Sequence, residues 1–394
     1  MTRSVYIIGS KGIPAKYGGF ETFVEKLTEF QKSEDIHYFV ACMKSNSDKS
    51  QIKEDIFEYN GATCFNIEVP NVGPAKAILY DILALRKAIK ISKKNRDENP
   101  IFYILACRIG PLINYFKKTI DNINGQLFVN PDGHEWLRKK WSKPVRMYWK
   151  LSEKMMVKKS DLMICDSKNI EKYILKEYQK YNPTTIYIAY GTDLTFSTLN
   201  RDDSLVRNWY FENNVLEEEY YLVVGRFVPE NNYETMIKEF MLSKTKKSFI
   251  LISNVENNKF FDELKHKTNF HRDERVKFVG TVYNQQLLKY IRENAYAYFH
   301  GHEVGGTNPS LLESLASTKL NLLLNVGFNR EVAGEGALYW EKNNLNELIN
   351  LIESKDFSNR DEIHLKAYQR VNDKFTWDII VKQYENLLGG HNGH

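Results

Sequence analysis

The chain repeats one pattern in two series: short apolar runs rich in β-branched and aromatic residues alternate with segments of helical periodicity. Such alternation is typical of parallel sheets covered by helices on both faces. We therefore predict an α/β fold of two facing Rossmann-like doubly wound domains with an interdomain cleft. The predicted strands lie at 4–9, 37–43, 63–69, 101–107, 126–130, 161–165 and 185–189, and, after a polar stretch, at 220–224, 248–252, 275–279, 295–299 and 320–324. The predicted helices of the first series lie at 19–32, 75–94, 144–159 and 168–180.

The polar stretch at 191–203 sets the predicted domain boundaries. The first domain is placed at 1–195, the second at 196–372, and a final helix at 373–388. Doubly wound domains bind ligands at the carboxyl ends of their strands. We therefore expect the loops that follow strands to carry the chemistry, on the two sides of the cleft.

The net charge of +5 is unevenly distributed. Residues 1–195 contain 31 Lys and Arg against 22 Asp and Glu, whereas the remainder contains 24 against 28. A basic first half indicates an anionic ligand, an anionic membrane or nucleic acid. The lack of long basic blocks and of a recognition-helix pattern argues against a dedicated nucleic-acid binder.

The apolar runs are too short for a signal peptide or for the roughly 18 residues of a spanning helix. The four cysteines lie in or next to apolar runs without metal-ligand spacing, which is typical of reduced core residues. These features predict a cytoplasmic protein.

The loop after the predicted strand at 295–299 is the strongest indication of a ligand. Two glycines leave room against bare backbone, and three cap-type residues then begin a helix whose positive end suits a phosphate. A glutamate one turn on can reach a hydroxyl group beside that phosphate, so the segment predicts a sugar nucleotide. These residues are Gly305, Gly306, Thr307, Asn308, Ser310 and Glu313.

Two loops of the first domain hold further candidates. The Gly-rich loop at 9–21 can approach an anion or a sugar, although its glycine spacing is not that of the dinucleotide fingerprint. In the loop at 129–136, Asp132 can accept a proton from a hydroxyl and His134 can bind a hydroxyl or stabilise developing charge; a helix cap beside a surface histidine is the alternative. The candidates are Lys11, Tyr17, Gly18, Gly19 and Glu21 in the first loop and Asp132, His134 and Glu135 in the second.

Isolated candidates follow other strands. Asp166 is either functional or a helix cap, and Tyr190 lies at the hinge, where it can face the cleft. Arg226 suits a diphosphate because its guanidinium binds two oxygens at once, and Glu230 is a candidate for the same surroundings. For His300, His302 and Glu303 we favour hydrogen bonds to hydroxyls, since two histidines two residues apart are weak support for a metal.

The segment at 136–159 mixes cations with Trp, Tyr, Met and Leu. This composition suits an interfacial face on anionic lipid. An ordinary helix, with its aromatic side chains in the core and its lysines in water, explains the composition equally well.

Four runs, at 6–22, 130–136, 224–233 and 305–313, carry a resemblance that extends over essentially the whole chain. The chain resembles bacterial glycosyltransferases of family 4, which have the glycosyltransferase-B (GT-B) fold. It is most similar to streptococcal β-1,4-rhamnosyltransferases of capsule and cell-wall rhamnan synthesis. The resemblance implies dTDP-L-rhamnose as donor, an undecaprenyl-diphosphate-linked GlcNAc or Glc as acceptor, and a retaining reaction without metal or other cofactor at the inner face of the cell membrane. It also implies that the final helix crosses back onto the first domain.

Two departures from the family pattern concern the donor. Gly305 stands where the family has the first of two glutamates, and Glu303 is two residues early. In the family, a lysine about five residues after the arginine at the position of Arg226 joins it at the diphosphate; here that position is Asn231. Under the resemblance the catalytic residues are Asp132, His134, Asp166, Glu230 and Glu303. The donor-binding residues are Gly18, Gly19, Tyr190, Arg226, Asn231, Gly305, Gly306, Thr307, Asn308, Ser310 and Glu313, and the acceptor-binding residues are Lys11, Tyr17, Glu21 and Glu135.

Other functions stay open at this point. A sugar-nucleotide 2-epimerase shares the two-domain plan and needs no acceptor. A sugar-binding sensor without catalysis predicts closure on a ligand without turnover, and a nucleic-acid binder predicts salt-dependent binding without a response to dTDP.

Overall fold

The computed structural model describes residues 2–16, 18–47, 54–138, 141–255, 259–354 and 357–390. The chain divides into two compact units. The first unit comprises Met1–Gly191 with Trp377–His394, and the second unit comprises Thr192–Thr376. The predicted acceptor residue Tyr17 lies outside the described residues.

The first unit is built on an eight-stranded sheet. Its strands are β1 (Arg3–Ile8), β2 (Ile36–Met43), β3 (Ile56–Tyr59), β4 (Ala62–Ile67), β5 (Ile101–Leu105), β6 (Gln126–Asn130), β7 (Leu162–Cys165) and β8 (Thr185–Tyr187), and its helices before residue 191 are α1 (Gly19–Glu29), α2 (Lys76–Asn95), α3 (Gly110–Asp121), α4 (Lys143–Lys159) and α5 (Lys168–Glu177). The strand order is β3-β4-β2-β1-β5-β6-β7-β8, and every pair is parallel except β3 with β4. The order reverses between β1 and β5, which is the switch point where doubly wound sheets bind ligands.

The central strands are continuous apolar runs because both faces of a parallel sheet are covered. In β1, residues 5–8 are fully buried. The Tyr6 ring stacks between Phe39 of β2 and Phe102 of β5, with ring centroids 4.5 and 5.1 Å away. This stack joins the three strands that flank the switch point.

The second unit has a six-stranded parallel sheet. Its elements are the helices α6 (Ser204–Glu212), α7 (Tyr233–Leu242), α8 (Lys259–Thr268), α9 (Gln285–Glu293), α10 (Pro309–Ser317), α11 (Gly327–Ala333), α12 (Leu345–Ile352) and α13 (Arg360–Lys374), and the strands β9 (Tyr220–Val224), β10 (Ser248–Ile252), β11 (Val276–Phe278), β12 (Ala297–His300), β13 (Asn321–Leu324) and β14 (Leu338–Trp340). The strand order is β11-β10-β9-β12-β13-β14. Its switch point lies between β9 and β12.

The last helix, α14 (Trp377–Leu388), belongs to the first unit. The Tyr384 hydroxyl lies 3.1 Å from that of Tyr103 in β5. The Glu385 carboxylate accepts hydrogen bonds from the backbone N–H groups of Lys32 and Ser33 at 2.6 and 2.8 Å. The C-terminal helix is thereby tied to the segment that follows α1.

The predicted fold is confirmed: all twelve predicted strands and all four predicted helices of the first series are present within a residue or a few of their expected bounds. The prediction omitted β3, α3 and β14. β3 is an antiparallel strand next to β4, and β14 has only three residues. α3 begins at Gly110-Pro111, a pair that is more typical of a turn than of a helix.

Candidate functional site

In the second unit, the loops after β9 (225–232) and β12 (301–308) meet at the switch point. The N–H of Glu303 donates to the backbone oxygen of Glu230 at 3.1 Å, and the side-chain amide of Asn232 donates to the backbone oxygen of Gly301 at 2.8 Å. A Cβ at Gly301 would overlap the backbone oxygen of Asn231. The two loops are therefore packed as one surface.

Asn231, which replaces the lysine of the family pattern, connects these loops. Its amide NH₂ donates to the backbone oxygen of Arg226 at 2.7 Å, and its Oδ1 lies 2.7 Å from Nδ1 of His302. With the amide oriented in this way, Nδ1 of His302 is the donor. Asn231 thus supplies no charge for a diphosphate, but it fixes the loop that carries Arg226.

Arg226 is exposed, and among the described residues no acceptor pairs with its guanidinium. It follows Gly225 at the carboxyl end of β9, where a ligand of a doubly wound domain is expected. The fork of Arg226 is therefore available to a diphosphate.

The start of α10 differs from the predicted phosphate cradle in one respect. Oδ1 of Asn308 accepts the N–H of Ser310 at 2.9 Å, so this helix caps itself. The Ser310 hydroxyl lies 3.0 Å from the backbone oxygen of Val224 and 2.9 Å from the Tyr298 hydroxyl. Both the amide and the hydroxyl of Ser310 thus have partners inside the unit, and its contact with the donor stays a prediction. An anion here meets the loop at 305–308 and the positive end of the helix.

Glu313 forms an ion pair that the sequence analysis did not identify. Its Oε2 lies 2.5 Å from Nη2 of Arg292, whose side chain is 5% exposed while that of Glu313 is 41% exposed. Nη2 of Arg292 also lies 3.4 Å from Oγ of Ser310. The available signal was an arginine on the buried face of α9, next to Leu288 and Ile291. The pair holds an accessible carboxylate in place one turn into α10.

Glu303, the proposed substitute for the missing glutamate, is ion-paired with Lys342. The preceding residue His302 and the neighbouring Glu230 are buried. His300 is also buried, and none of the described residues bonds to its Nε2. Burial lowers the pKa of His300 to about 3, so this histidine is neutral at physiological pH.

Acidification is expected to destabilise the protein through His300. The unfolded state regains an ordinary pKa of about 6.5 and binds a proton that the folded state excludes, so stability falls as the pH falls from about 6.5 towards about 3. His300→Gln should flatten this dependence in urea unfolding between pH 7 and pH 5, and His266→Gln, at an exposed position of α8, should not. Parallel pH curves for the wild type and His300→Gln would contradict the prediction.

In the first unit, the Gly-rich loop at 9–21 forms a hydrogen bond with the side chain of Glu21, the residue at its end. Oε1 of Glu21 accepts the N–H of Lys11 at 2.7 Å, and Glu21 is buried. Gly18 has φ +133°, and a Cβ there would overlap the same carboxylate, whereas Gly19 has open space around it. Glu21 therefore shapes the loop, while the Lys11 side chain is exposed.

The loop after β6 has two residues with positive φ, Asp132 (59°) and His134 (30°). The N–H of Asp132 donates to Oδ1 of the buried Asn130 at 2.7 Å. The His134 ring lies 4.3 Å from that of Tyr173. Burial, and then the charge of Lys150, lower the pKa of His134, which favours its neutral form. A neutral His134 is suited to forming a hydrogen bond with a hydroxyl and less suited to acting as a general acid that transfers a proton.

Three predicted residues of this unit are engaged inside it. Glu135 is ion-paired with Arg138 and accepts the indole N–H of Trp141 at 2.8 Å, and its contact with the acceptor stays a prediction. Tyr190 is buried with its ring 5.5 Å from that of Phe23, so it packs in the core of this unit, and its contact with the donor stays a prediction. Asp166 is also buried, and the cap of α5 is the neighbouring Ser167 and not Asp166.

No group of three or more His, Cys, Asp or Glu residues within the described ranges could hold a metal ion. The four cysteines are free and buried. No helix in the described part of the chain has the length and apolar character needed to cross a membrane.

Two family models match the chain. Residues 2–193 match a "Domain of unknown function (DUF1972)", and residues 207–370 match "Glycosyl transferases group 1". None of the curated proteins compared with the chain matches it.

Solved structures share the fold over the whole chain. Sucrose-phosphate synthase from Thermosynechococcus elongatus is 17% identical with a TM-score of 0.76, covering 98% of both chains. A glycosyltransferase from Rickettsia africae is 12% identical with a TM-score of 0.72, covering 100% of both. Anabaena HepE in complex with UDP-glucose is 13% identical with a TM-score of 0.67, covering 99% of this chain and 100% of that one. The chain has the GT-B fold, and it is an enzyme of the glycosyltransferase class.

Proposed function

We propose that the enzyme transfers L-rhamnose from dTDP-β-L-rhamnose to an undecaprenyl-diphosphate-linked sugar, with retention of configuration, in cell-wall or capsular polysaccharide synthesis. The observation that carries the proposal is the arrangement at the second unit's switch point. An exposed arginine, Arg226, and the positive end of α10 border the two joined loops, and the carboxylate of Glu313 is fixed one turn further on. A cation and a helix start suit a diphosphate, and a carboxylate suits a sugar hydroxyl.

The second unit takes the donor in this proposal. Arg226 and the loop at 305–308 bind the diphosphate, and Glu313 binds the deoxyribose. These groups also stabilise the charge that develops on the departing dTDP. The match of residues 207–370 to a glycosyltransferase domain and the UDP-glucose bound by Anabaena HepE support a nucleotide-sugar donor. The choice of dTDP-rhamnose rests on the resemblance to streptococcal rhamnosyltransferases.

The first unit takes the acceptor, with Asp132 and neutral His134 beside the reacting hydroxyl. In a front-face retaining reaction the acceptor oxygen bonds to the anomeric carbon on the side from which the phosphate oxygen leaves. The leaving phosphate can then accept the hydroxyl proton, and Asp132 serves to position the acceptor. The bond between the acceptor oxygen and the anomeric carbon forms, the bond between the anomeric carbon and the phosphate oxygen breaks, and the hydroxyl proton passes to the phosphate.

A matrix of donors and acceptors read by mass spectrometry tests the proposal. We expect rhamnosyl glycolipid and dTDP only when dTDP-rhamnose is combined with a polyprenyl-diphosphate-linked GlcNAc or Glc. Transfer from another nucleotide sugar alone would overturn the donor assignment. A product formed from UDP-GlcNAc without acceptor would identify a 2-epimerase.

We further propose that α4 places the first unit on the inner face of the cell membrane, where such an acceptor resides. Met147, Leu151 and Met155 follow one another at intervals of four residues, so they form one exposed apolar stripe. Lys154 and Lys158 are exposed beside it. An apolar stripe with flanking lysines suits an anionic lipid surface.

Glutamates on this stripe are expected to release the protein from lipid. Met147→Glu/Leu151→Glu should lower binding to anionic vesicles by at least about 10-fold in flotation, because two apolar contacts are lost and two negative charges are added. Leu242→Glu, at an exposed leucine of the second unit, is the matched control and should bind as the wild type does. Equal binding of all three proteins, or none to any vesicle, would reject the proposed membrane face.

A further inference from the structure

Arg108, on the loop that follows β5, is a cation at the first unit's switch point that the sequence analysis did not single out. The two N–H groups of its Nη1 are shared among three acceptors: the backbone oxygens of Gly9 and Leu105 at 3.0 and 3.2 Å, and Oδ2 of Asp81 at 3.0 Å. Within the described residues, no acceptor bonds to its Nε or Nη2, and the side chain is 17% exposed. Neither nitrogen is sealed inside the unit. One nitrogen thus anchors the guanidinium, and Nε and Nη2 keep N–H groups that have no acceptor among the described residues.

The residues that hold Arg108 are themselves fixed by close packing and hydrogen bonds. Gly9 has φ +109°, and a Cβ there would overlap the Leu105 oxygen, so only glycine lets the ends of β1 and β5 approach this closely. Asp81 of α2 is fully buried. The Tyr148 hydroxyl of α4 donates to the backbone oxygen of Arg108 at 2.7 Å. A fork held in this way loses little conformational entropy when it binds a ligand.

We propose that Arg108 is a phosphate-binding residue of the first unit that holds the diphosphate of the lipid-linked acceptor, an inference that rests on the proposed function. The Nε and Nη2 atoms of one guanidinium match two phosphate oxygens in a bidentate contact. Arg108 follows β5, and Asp132, which we assign to the acceptor hydroxyl, follows the neighbouring parallel strand β6, so both residues lie at the same edge of the sheet. A sugar joined directly to a diphosphate presents a phosphate and a reactive hydroxyl one ring apart. Anchoring the phosphate on Arg108 would therefore direct the hydroxyl towards Asp132.

The donor's diphosphate is the other source of the same chemistry. We favour the acceptor because Arg108 belongs to the unit that lies outside the matched glycosyltransferase domain, whereas Arg226 already serves the second unit. The buried partner Asp81 has to be considered in any variant. Removing Arg108 alone would leave a buried carboxylate without its cation, which destabilises proteins strongly.

Binding measurements on the double variant Arg108→Gln/Asp81→Asn test the inference without turnover. The double change removes both charges together, and Asp81→Asn alone is the matched control that keeps the guanidinium. Titration calorimetry would use a short-chain polyprenyl-diphosphate-linked GlcNAc, the same GlcNAc on a neutral alkyl chain, and dTDP. A charge-assisted bidentate contact predicts a loss of about 10- to 100-fold in affinity for the diphosphate ligand in the double variant. Affinities for the neutral ligand and for dTDP should be unchanged in both variants, and Asp81→Asn, which keeps the guanidinium but weakens its anchor, should lose less affinity for the diphosphate ligand than the double variant does.

Three results would overturn the inference: wild-type affinity of the double variant for the diphosphate ligand, an equal loss for the neutral ligand, or a loss confined to dTDP. Thermal unfolding of each variant establishes that the folded protein is being compared. Because the readout is binding, failure to transfer rhamnose would reject the proposed function while leaving the phosphate contact to be decided by these titrations.

Discussion

Glu313→Ala should lose donor binding and stability together. The change removes the carboxylate that we assign to the deoxyribose and leaves Arg292, which is 5% exposed, without its counter-charge. Because Glu313 is 41% exposed, the loss of stability should lie below that of a fully buried ion pair, at about 1–2 kcal/mol. We expect kcat/KM for the donor to fall at least about 100-fold, because charged hydrogen bonds to a ligand and the position of α10 are lost at once. Steady-state kinetics and urea unfolding measure the two effects.

Two companion variants separate the contact from the ion pair. Glu313→Gln keeps an oxygen that accepts from Arg292, so it should retain most of the stability while losing donor affinity. Arg292→Leu removes the buried charge and leaves Glu313 in contact with water, so it should cost less stability than Glu313→Ala. It should still raise the KM for the donor, because the carboxylate is no longer held. A wild-type donor KM in Glu313→Ala would refute the assignment.

The sequence predicted the fold because strand and helix periodicity are local signals. Each apolar run at 4–9 or 220–224 carries the signature of a buried parallel strand in its own residues. The elements that the prediction omitted, such as α3 and β14, are those with the weakest local signals. The loops after strands were also predictable as candidate sites, since the carboxyl ends of parallel strands lie at one edge of the sheet.

The pairings inside the loops were not predictable, because they join residues distant in sequence. Arg108 and Asp81 are 27 residues apart, and Asn231 and His302 are 71 apart. Composition makes Tyr190 a plausible ligand, and only the packed structure shows its ring against Phe23. The same residue types serve in contacts and in cores, so the choice between these roles depends on tertiary neighbours.

The second large effect concerns the contact between the loops at 225–232 and 301–308. Gly301→Ala should weaken binding of the donor, although it removes none of the residues that we predict to contact the donor. A Cβ at this position would overlap the backbone oxygen of Asn231 and approach Sδ of Met236 to 3.2 Å. Relief of the overlap has to move the loop that carries Arg226, and the hydrogen bond from Asn232 to the Gly301 oxygen is expected to break. Overpacking of this kind costs about 1–3 kcal/mol.

Gly336→Ala is a matched control within the same unit. Its Cβ would meet the backbone of Ala367 in α13 with comparable overlap, but Gly336 precedes β14 and so lies at the amino ends of the parallel strands. Both variants should therefore lose similar stability in urea unfolding. Only Gly301→Ala should raise the KM for the donor, by about 10-fold or more, because a displacement near 1 Å in a binding loop disrupts the reacting geometry. A shared rise in both variants would attribute the effect to general loosening of the unit, and an unchanged KM in Gly301→Ala would place the donor away from these loops.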